Sequence, residues 1–271
     1  MQCIQRPVTL LWILILFISG GCNAQQDKLY TPTQRTVEAL IGETRITLRI
    51  STYGIDSSIT YFHLHDDEQT ALAQTSQHLA RHGGQLIKIE NGGKRIIRFR
   101  LSGKIYAFDP NRIFSTAGIS ATLTRFSEFS SDAITQVSRF AEKILQLIPG
   151  SSRWIVAVHN NTDGGFSIKS YLPTGEYARD AADVFVNPQT DPDNFFLTTD
   201  SLLYHRLSLK KFSTVLQDNK LVSQDGSLSV YCGENQRPYL NCEAQHLDSA
   251  AFRRMVDTAR REIDQLIRVQ H

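Results

Sequence analysis

The 271-residue chain carries little net charge: 29 Lys and Arg against 27 Asp and Glu leave +2 at pH 7. The two signs are interleaved, so the basic stripe that a nucleic-acid-binding surface needs is missing. The same balance excludes electrostatic docking on an anionic membrane. Long apolar runs are scarce, and the run from Val8 to Ile18 is too short for a comfortable transmembrane helix. The sequence shows neither an internal repeat nor an interior linker. Phosphate loops are missing too, because Asn91-Gly92-Gly93 and Asp163-Gly164-Gly165 lack the required strand–glycine–helix pattern and read as turns. What remains, with 41% hydrophobic and 21% charged residues, is an ordinary globular composition.

Arg6, the apolar run and the small residues Ser19-Gly20-Gly21 before Cys22 together read as an export signal. Cys22 after two glycines favours a lipoprotein signal with lipidation at Cys22, and ordinary cleavage after Ala24 is the alternative. Residues 1–24 are therefore expected as signal and anchor, 25–36 as a polar tether, and 37–271 as the folded domain. The expected location is the periplasm or cell envelope, with membrane contact only through a lipid on Cys22. Cys232 and Cys242 remain as an even pair in an exported chain, so a disulfide between them is expected. It would close a hairpin that ends at Glu243.

Alternating apolar residues at Ile46, Leu48 and Ile50 predict a strand, and Ile59 to Leu64 predicts another that runs into His65. Residues 67–82 have helical spacing and stop at Gly83-Gly84. Strands at 86–89 and 96–101 flank Asn91-Gly92-Gly93 as a hairpin. Ile105 to Phe108 is a further short strand. The spacing predicts helices over 132–148, 201–211 and 249–268. The run Trp154 to Val158 predicts a buried strand that delivers His159. Short strands are expected at 166–172, Val215, 228–230 and 239–242, and loops at 113–130 and 175–195. Strands alternate with helices over most of the chain, which predicts a single α/β domain with its site at strand ends.

His65 and Glu68 stand three apart where a strand turns into a helix, so an imidazole nitrogen and a carboxylate can converge on one zinc ion. His159, at another strand end, supplies a third ligand, and a catalytic zinc keeps the fourth position for water. The plain alternative is a solvated helix N-terminus whose Asp66, Asp67 and Glu68 meet the helix dipole. In Asp109-Pro110-Asn111-Arg112, the amide and guanidinium can grip a carboxylate. Otherwise it is a turn whose Arg pairs with a surface acid. Glu243, ending a short strand, can take a proton from a zinc-activated water and return it to a leaving amine. Glu234 is its rival, and either can be a surface glutamate. His78, His82, His205 and His246 read as solvated or locally hydrogen-bonded, and Trp154, Phe126 and Phe129 as packing aromatics.

The order H-x-x-E, D-P-N-R, strand-ending His, strand-ending Glu, across roughly residues 59–245, resembles the zinc carboxypeptidases of the carboxypeptidase A type. It also resembles their relatives, the aspartoacylases and succinylglutamate desuccinylases, and the Glu68-to-His159 separation is nearer that branch. The resemblance implies a three-layer domain with a mixed twisted sheet flanked by helices and one zinc at the strand ends. It implies His65, Glu68 and His159 as ligands, Asn111 and Arg112 as holders of the substrate carboxylate, and Glu243 as general base and acid. Only His65, not His63, has the right spacing to Glu68, and Asp66 would orient a neighbouring group. A further Arg that polarises the scissile carbonyl is expected upstream of Asn111, with Arg98 and Arg100 as candidates. Ile113 follows Arg112 where a polar residue is common, and Tyr231 and Tyr239 are nearby without an assigned role. The implied activity is an exported metallocarboxypeptidase, on peptides or cell-wall peptides. The competitors are an N-acyl amino acid deacylase and an inactive lipid-anchored binding protein.

Overall fold

The computed structural model describes residues 29–162 and 164–269. The expected signal, the Cys22 lipidation site and the first part of the expected tether lie outside the described residues. The rest of that tether is ordered: strand β1 (Thr33–Ile41) begins inside it and pairs antiparallel with β2 (Thr44–Tyr53).

The central strands follow from hydrophobic runs bounded by turns. They are β3 (Ile59–His63), β4 (Gly84–Glu90), β7 (Trp154–Asn161) and β11 (Tyr239–Gln245). β3 runs parallel to β4 and β7, and β7 parallel to β11. Parallel strands need both faces covered, which is why β3 is buried throughout and β7 at all but one position. β9 (Phe195–Thr198), β10 (Thr214–Gln217) and β8 (Ala181–Phe185) extend the far side. Among the described residues, nine strands form one mixed sheet in the order β1-β2-β4-β3-β7-β11-β9-β10-β8.

Helices cover both faces. α1 (Gln69–His82), α4 (Ser201–Leu209) and α6 (Ser249–Val269) pack on Tyr61, Trp154, Val156 and Leu240. On the other face, α2 (Thr116–Phe126), α3 (Ser131–Leu145), α5 (Leu228–Glu234) and a separate hairpin of β5 (Ile97–Leu101) with β6 (Lys104–Phe108) pack on Phe62, Ile155 and Tyr239. This is the expected three-layer α/β domain. α2 and α3 start where Ser115 and Ser130 accept hydrogen bonds from Gly118 and Ala133 amides. α1 stops where Gly83 takes φ 76° and returns its N–H to the Leu79 carbonyl.

Several local expectations give way to tertiary pairing. The Asn91-Gly92-Gly93 signal does not close a hairpin, because β4 is paired inside the large sheet while β5 pairs with β6. Residues 228–230 begin helix α5, and 116–126 form α2 where a loop was expected. The stretch 166–172 holds a short 3-10 turn, Ile168–Tyr171, capped by Ser167 and Ser170.

The expected Cys232–Cys242 disulfide is absent, and both thiols are free and buried. Side chains alternate across a strand, so Cys242 faces the core under α6 while Cys232 on α5 packs into the core on the opposite face. Burial pushes the Cys232 thiol up to about 12, against the smaller pull of Arg237. Both thiols are inert packing groups, and no bridge restrains Glu243.

One close approach explains a glycine. A Cβ on Gly118 would stand 2.4 Å from Gly226 Cα and 2.8 Å from the Arg112 and Asp225 carbonyl oxygens. Backbone meets backbone there, so nothing yields cheaply. Gly118→Ala is expected to cost about 2 kcal/mol through overpacking, a Tm fall of roughly 4–8 °C, measurable by calorimetry or circular dichroism.

Candidate metal centre and substrate cavity

Parallel pairing brings the C-terminal ends of β3, β7 and β11 to one edge, where open α/β sheets place ligands. His65 follows β3 by two residues. His159 and Glu243 are register partners on β7 and β11. Register partners project on the same face, so both side chains enter one cavity. Glu68 is returned to His65 by a tight turn, with its N–H 3.2 Å from the His65 carbonyl, and it directly precedes α1.

Three side chains converge there. His65 Nδ1 and His159 Nδ1 lie 3.1 Å apart. Glu68 Oε1 is 2.9 Å from the first and Oε2 is 2.9 Å from the second. All three residues are buried, and their donor atoms lie within 4.8 Å of one another. A zinc ion bound at about 2.0–2.1 Å holds tetrahedral ligand atoms roughly 3.3 Å apart. The observed separations sit slightly inside that value, and two imidazoles with one carboxylate form an open three-ligand set. These residues fit the ion expected from the sequence.

His65 and Glu68 are held from behind, whereas His159 Nε2 has no hydrogen-bond partner among the described residues. His65 Nε2 donates to Asp109 Oδ1 at 2.8 Å, which leaves Nδ1 for the centre. The same Asp109 oxygen accepts the Asn111 N–H at 2.8 Å. Asp109 thus joins His65 to the turn Pro110–Arg112, a role its place before a proline did not reveal. His63 Nε2 donates to the Glu68 carbonyl at 2.9 Å. His63 is buried behind Glu68 and lies outside the group of converging donor atoms. Asp66 orients a neighbour as expected: Oδ2 accepts the Asn91 and Gly93 amides at 2.7 and 2.9 Å, and Oδ1 meets Lys88 Nζ at 2.8 Å.

That loop delivers a residue the sequence reading missed. Arg95 Nη1 lies 2.8 Å from Glu68 Oε1, and its Nε lies 3.5 Å from Asp109 Oδ2. Arg98 and Arg100 do not reach the site, because both project from the exposed face of β5. Arg95 lines the cavity beside the His65–Glu68–His159 group.

Asn111 and Arg112 line the same cavity, of about 300 Å³. Asn111 Oδ1 accepts the Leu228 N–H at 3.1 Å, which orients its amide nitrogen as a donor. Arg112 Nη1 donates to the Asn111 carbonyl at 2.8 Å, and its contact with Asp225 is loose, at 3.5 Å. The wall beyond is aromatic, with Phe166, Tyr171 and Tyr177 packed at 5.7 Å ring separations. Tyr239 also lines the cavity, whereas Tyr231 packs on Phe114. Neither Tyr171, in the short 3-10 turn Ile168–Tyr171, nor Tyr177, just before the turn Ala178–Asp180, stood out in the sequence as a site residue.

Glu243 is buried; Oε1 accepts from Asn241 Nδ2 at 2.9 Å and Oε2 has no partner. Burial raises its pKa, with the Glu68 charge adding to the effect and His159, Asn241 and Arg95 opposing it. Glu234, its rival, lines a different cavity beside Thr199 and Arg237. His246 donates its backbone N–H to Asn161 and stays outside the cavity lining.

The charges interlock. Burial alone would lower the His65 pKa, but the Glu68 and Asp109 carboxylates outweigh it and bring it to about 9. Glu68 is held well below the usual carboxylate range, despite burial, by His159 and His65. Asp109 is lowered likewise, against burial, by His65, Arg95 and Arg112.

No protein-family model matches the sequence. No curated protein matches it either. Among solved structures, the chain is similar to the murein-tripeptide amidase MpaA from Escherichia coli O157. That match has 13% identity and a TM-score of 0.43, covering 86% of this chain and 92% of that one. It is also similar to an aspartoacylase family protein from Mesorhizobium loti, at 13% identity and a TM-score of 0.38, covering 84% of this chain and 66% of that one.

Because metal-free His65 holds its proton up to pH about 9, an ion binding at Nδ1 must displace it. Zinc titration at pH 7.5 is expected to release about one proton per ion from this residue, falling away as pH rises through 9. Calorimetry in buffers of different ionisation enthalpy measures it. Asp109→Asn, which removes a carboxylate that holds the His65 charge, should lower the release.

Proposed function

We propose that this chain is an exported zinc-dependent amide hydrolase that cleaves peptides next to a free terminal carboxylate. The observation that carries the reading is one cavity holding a buried His-Glu-His set, a carboxylate with an unpartnered oxygen, and an Asn-Arg pair on a rigid turn. His65, Glu68 and His159 would hold the zinc, which when bound would polarise the scissile carbonyl and acidify a water.

The chain's own groups supply the rest. Asn111 Nδ2 and the Arg112 guanidinium grip the terminal carboxylate and set the scissile bond's orientation. Glu243 Oε2 takes the proton of the attacking water and passes it to the nitrogen of the leaving amine. Its Oε2 has no protein partner to displace, so it can accept the proton and release it in turn. Arg95 stands where its charge can meet developing negative charge on the carbonyl oxygen. The aromatic wall gives the terminal side chain an apolar surface. Export, with a lipid on Cys22 or cleavage after Ala24, rests on residues 1–24 and makes cell-wall peptides the accessible substrates.

Glu243→Gln is expected to keep one zinc in the cavity while kcat falls by about 10²–10⁴. Steady-state kinetics with peptides, their C-terminal amides and N-acyl amino acids decide the substrate class. Full turnover by Glu243→Gln sinks the base assignment. Preference for N-acyl amino acids moves the chain to the deacylase reading, and no turnover of any of them favours the inactive binding protein.

A further inference from the structure

A second group of coordinating side chains lies at the far end of α1, over the opposite face of the sheet. His78 and His82 are four residues apart and share one side of the helix. Their ring centroids are 4.6 Å apart. Asp257 meets them from α6, with Oδ1 2.6 Å from His78 Nδ1 and 3.7 Å from His82 Nε2. One donor atom from each lies within 4.8 Å of the others. We infer that His78, His82 and Asp257 bind a divalent ion of the zinc, nickel and copper group, clamping the last turn of α1 to α6.

The donor set selects the ion class. Two imidazoles and one carboxylate suit borderline transition ions, whereas magnesium and calcium demand oxygen. His78 is set in place before any ion arrives. It is fully buried, and its Nε2 lies 3.2 Å from the Tyr61 hydroxyl, so Nδ1 is aimed at Asp257. A partner on the second ring nitrogen is the common arrangement for a ligating histidine. The His82 side chain is 43% exposed, which gives an ion access and leaves room for water ligands. The last carbonyls of α1 add partial negative charge. Coordination would widen the His78–Asp257 contact to roughly 3.3 Å, a shift the partly exposed Asp257 can make.

Two cations face the group. Arg260 is engaged by Asp56, Asp264 and the Gly83 carbonyl. Arg81 Nη2 lies 3.7 Å from Asp257 Oδ1 and competes with an ion for that carboxylate. The site is separate from the hydrolytic cavity: His78 lies ten residues beyond Glu68, about 15 Å along the helix. It does not rest on the hydrolase reading.

The test is to dialyse full-length wild type, His82→Ala, Asp257→Asn and Arg81→Ala against low-micromolar zinc chloride and count bound metal. His82→Ala and Asp257→Asn should each hold one zinc per chain fewer than wild type, with unchanged circular dichroism. Arg81→Ala should keep that ion and bind it severalfold tighter. Zinc should raise the Tm of wild type more than that of His82→Ala. Equal zinc in wild type and both ligand variants, or a His82-dependent ion seen only at millimolar zinc, overturns the assignment. The count is a difference at His82, so it reads the same whether or not the cavity also holds zinc.

Discussion

Two imidazole nitrogens held 3.1 Å apart, each 2.9 Å from one carboxylate, can share only protons or a cation. Everything around them answers to that constraint. Removing water from a carboxylate and two imidazoles is costly unless positive charge stays among them. In the protein without ion that charge is a proton on His65, held by Glu68 on one ring nitrogen and Asp109 on the other. A doubly charged ion would replace it. The flanking carboxylates that trap the proton are the same ones that would favour the ion, so the two compete for one electrostatic well.

The well is stiff because its walls are tied to backbone. Asp109 bonds both the His65 ring and the Asn111 amide through a single oxygen. A displacement of His65 is therefore felt at the turn carrying Arg112. Gly118 and Gly226 bring α2 against the loop behind that turn, with no side chain between them to compress. Asp66 does the corresponding work for Arg95, by gathering the Asn91 and Gly93 amides.

The parts of the site that could be read in the sequence were those set by local geometry. His65 and Glu68 are three residues apart, and His159 and Glu243 end strands whose apolar runs stand out. Their meeting needs only parallel strands with ends at one edge. What could not be read depends on partners far along the chain. Arg95 is aimed by an aspartate 29 residues earlier, while Arg98 and Arg100 looked equally good until β5 turned them outward. The Asn-Gly-Gly turn signal was genuine, but pairing of β4 inside the large sheet decided its use. α2 was missed because it mixes Gly, Ser and Thr with few large apolar residues. The cysteines misled because even number and assumed export say nothing about which face of a sheet each thiol occupies.

The pairing of Glu243 opposite His159 has a consequence for how the protein is made. Side chains alternate along β11, so sliding it by one residue against β7 would offer Cys242 or Ala244 to the cavity and drive Glu243 into the apolar layer beneath α6. Such a misassembled chain would lose the cavity carboxylate and gain an unpaired buried charge at once. Stability therefore reports on correct assembly: a chain with its central strands in step keeps that carboxylate in the cavity, and one that slips is destabilised at its core.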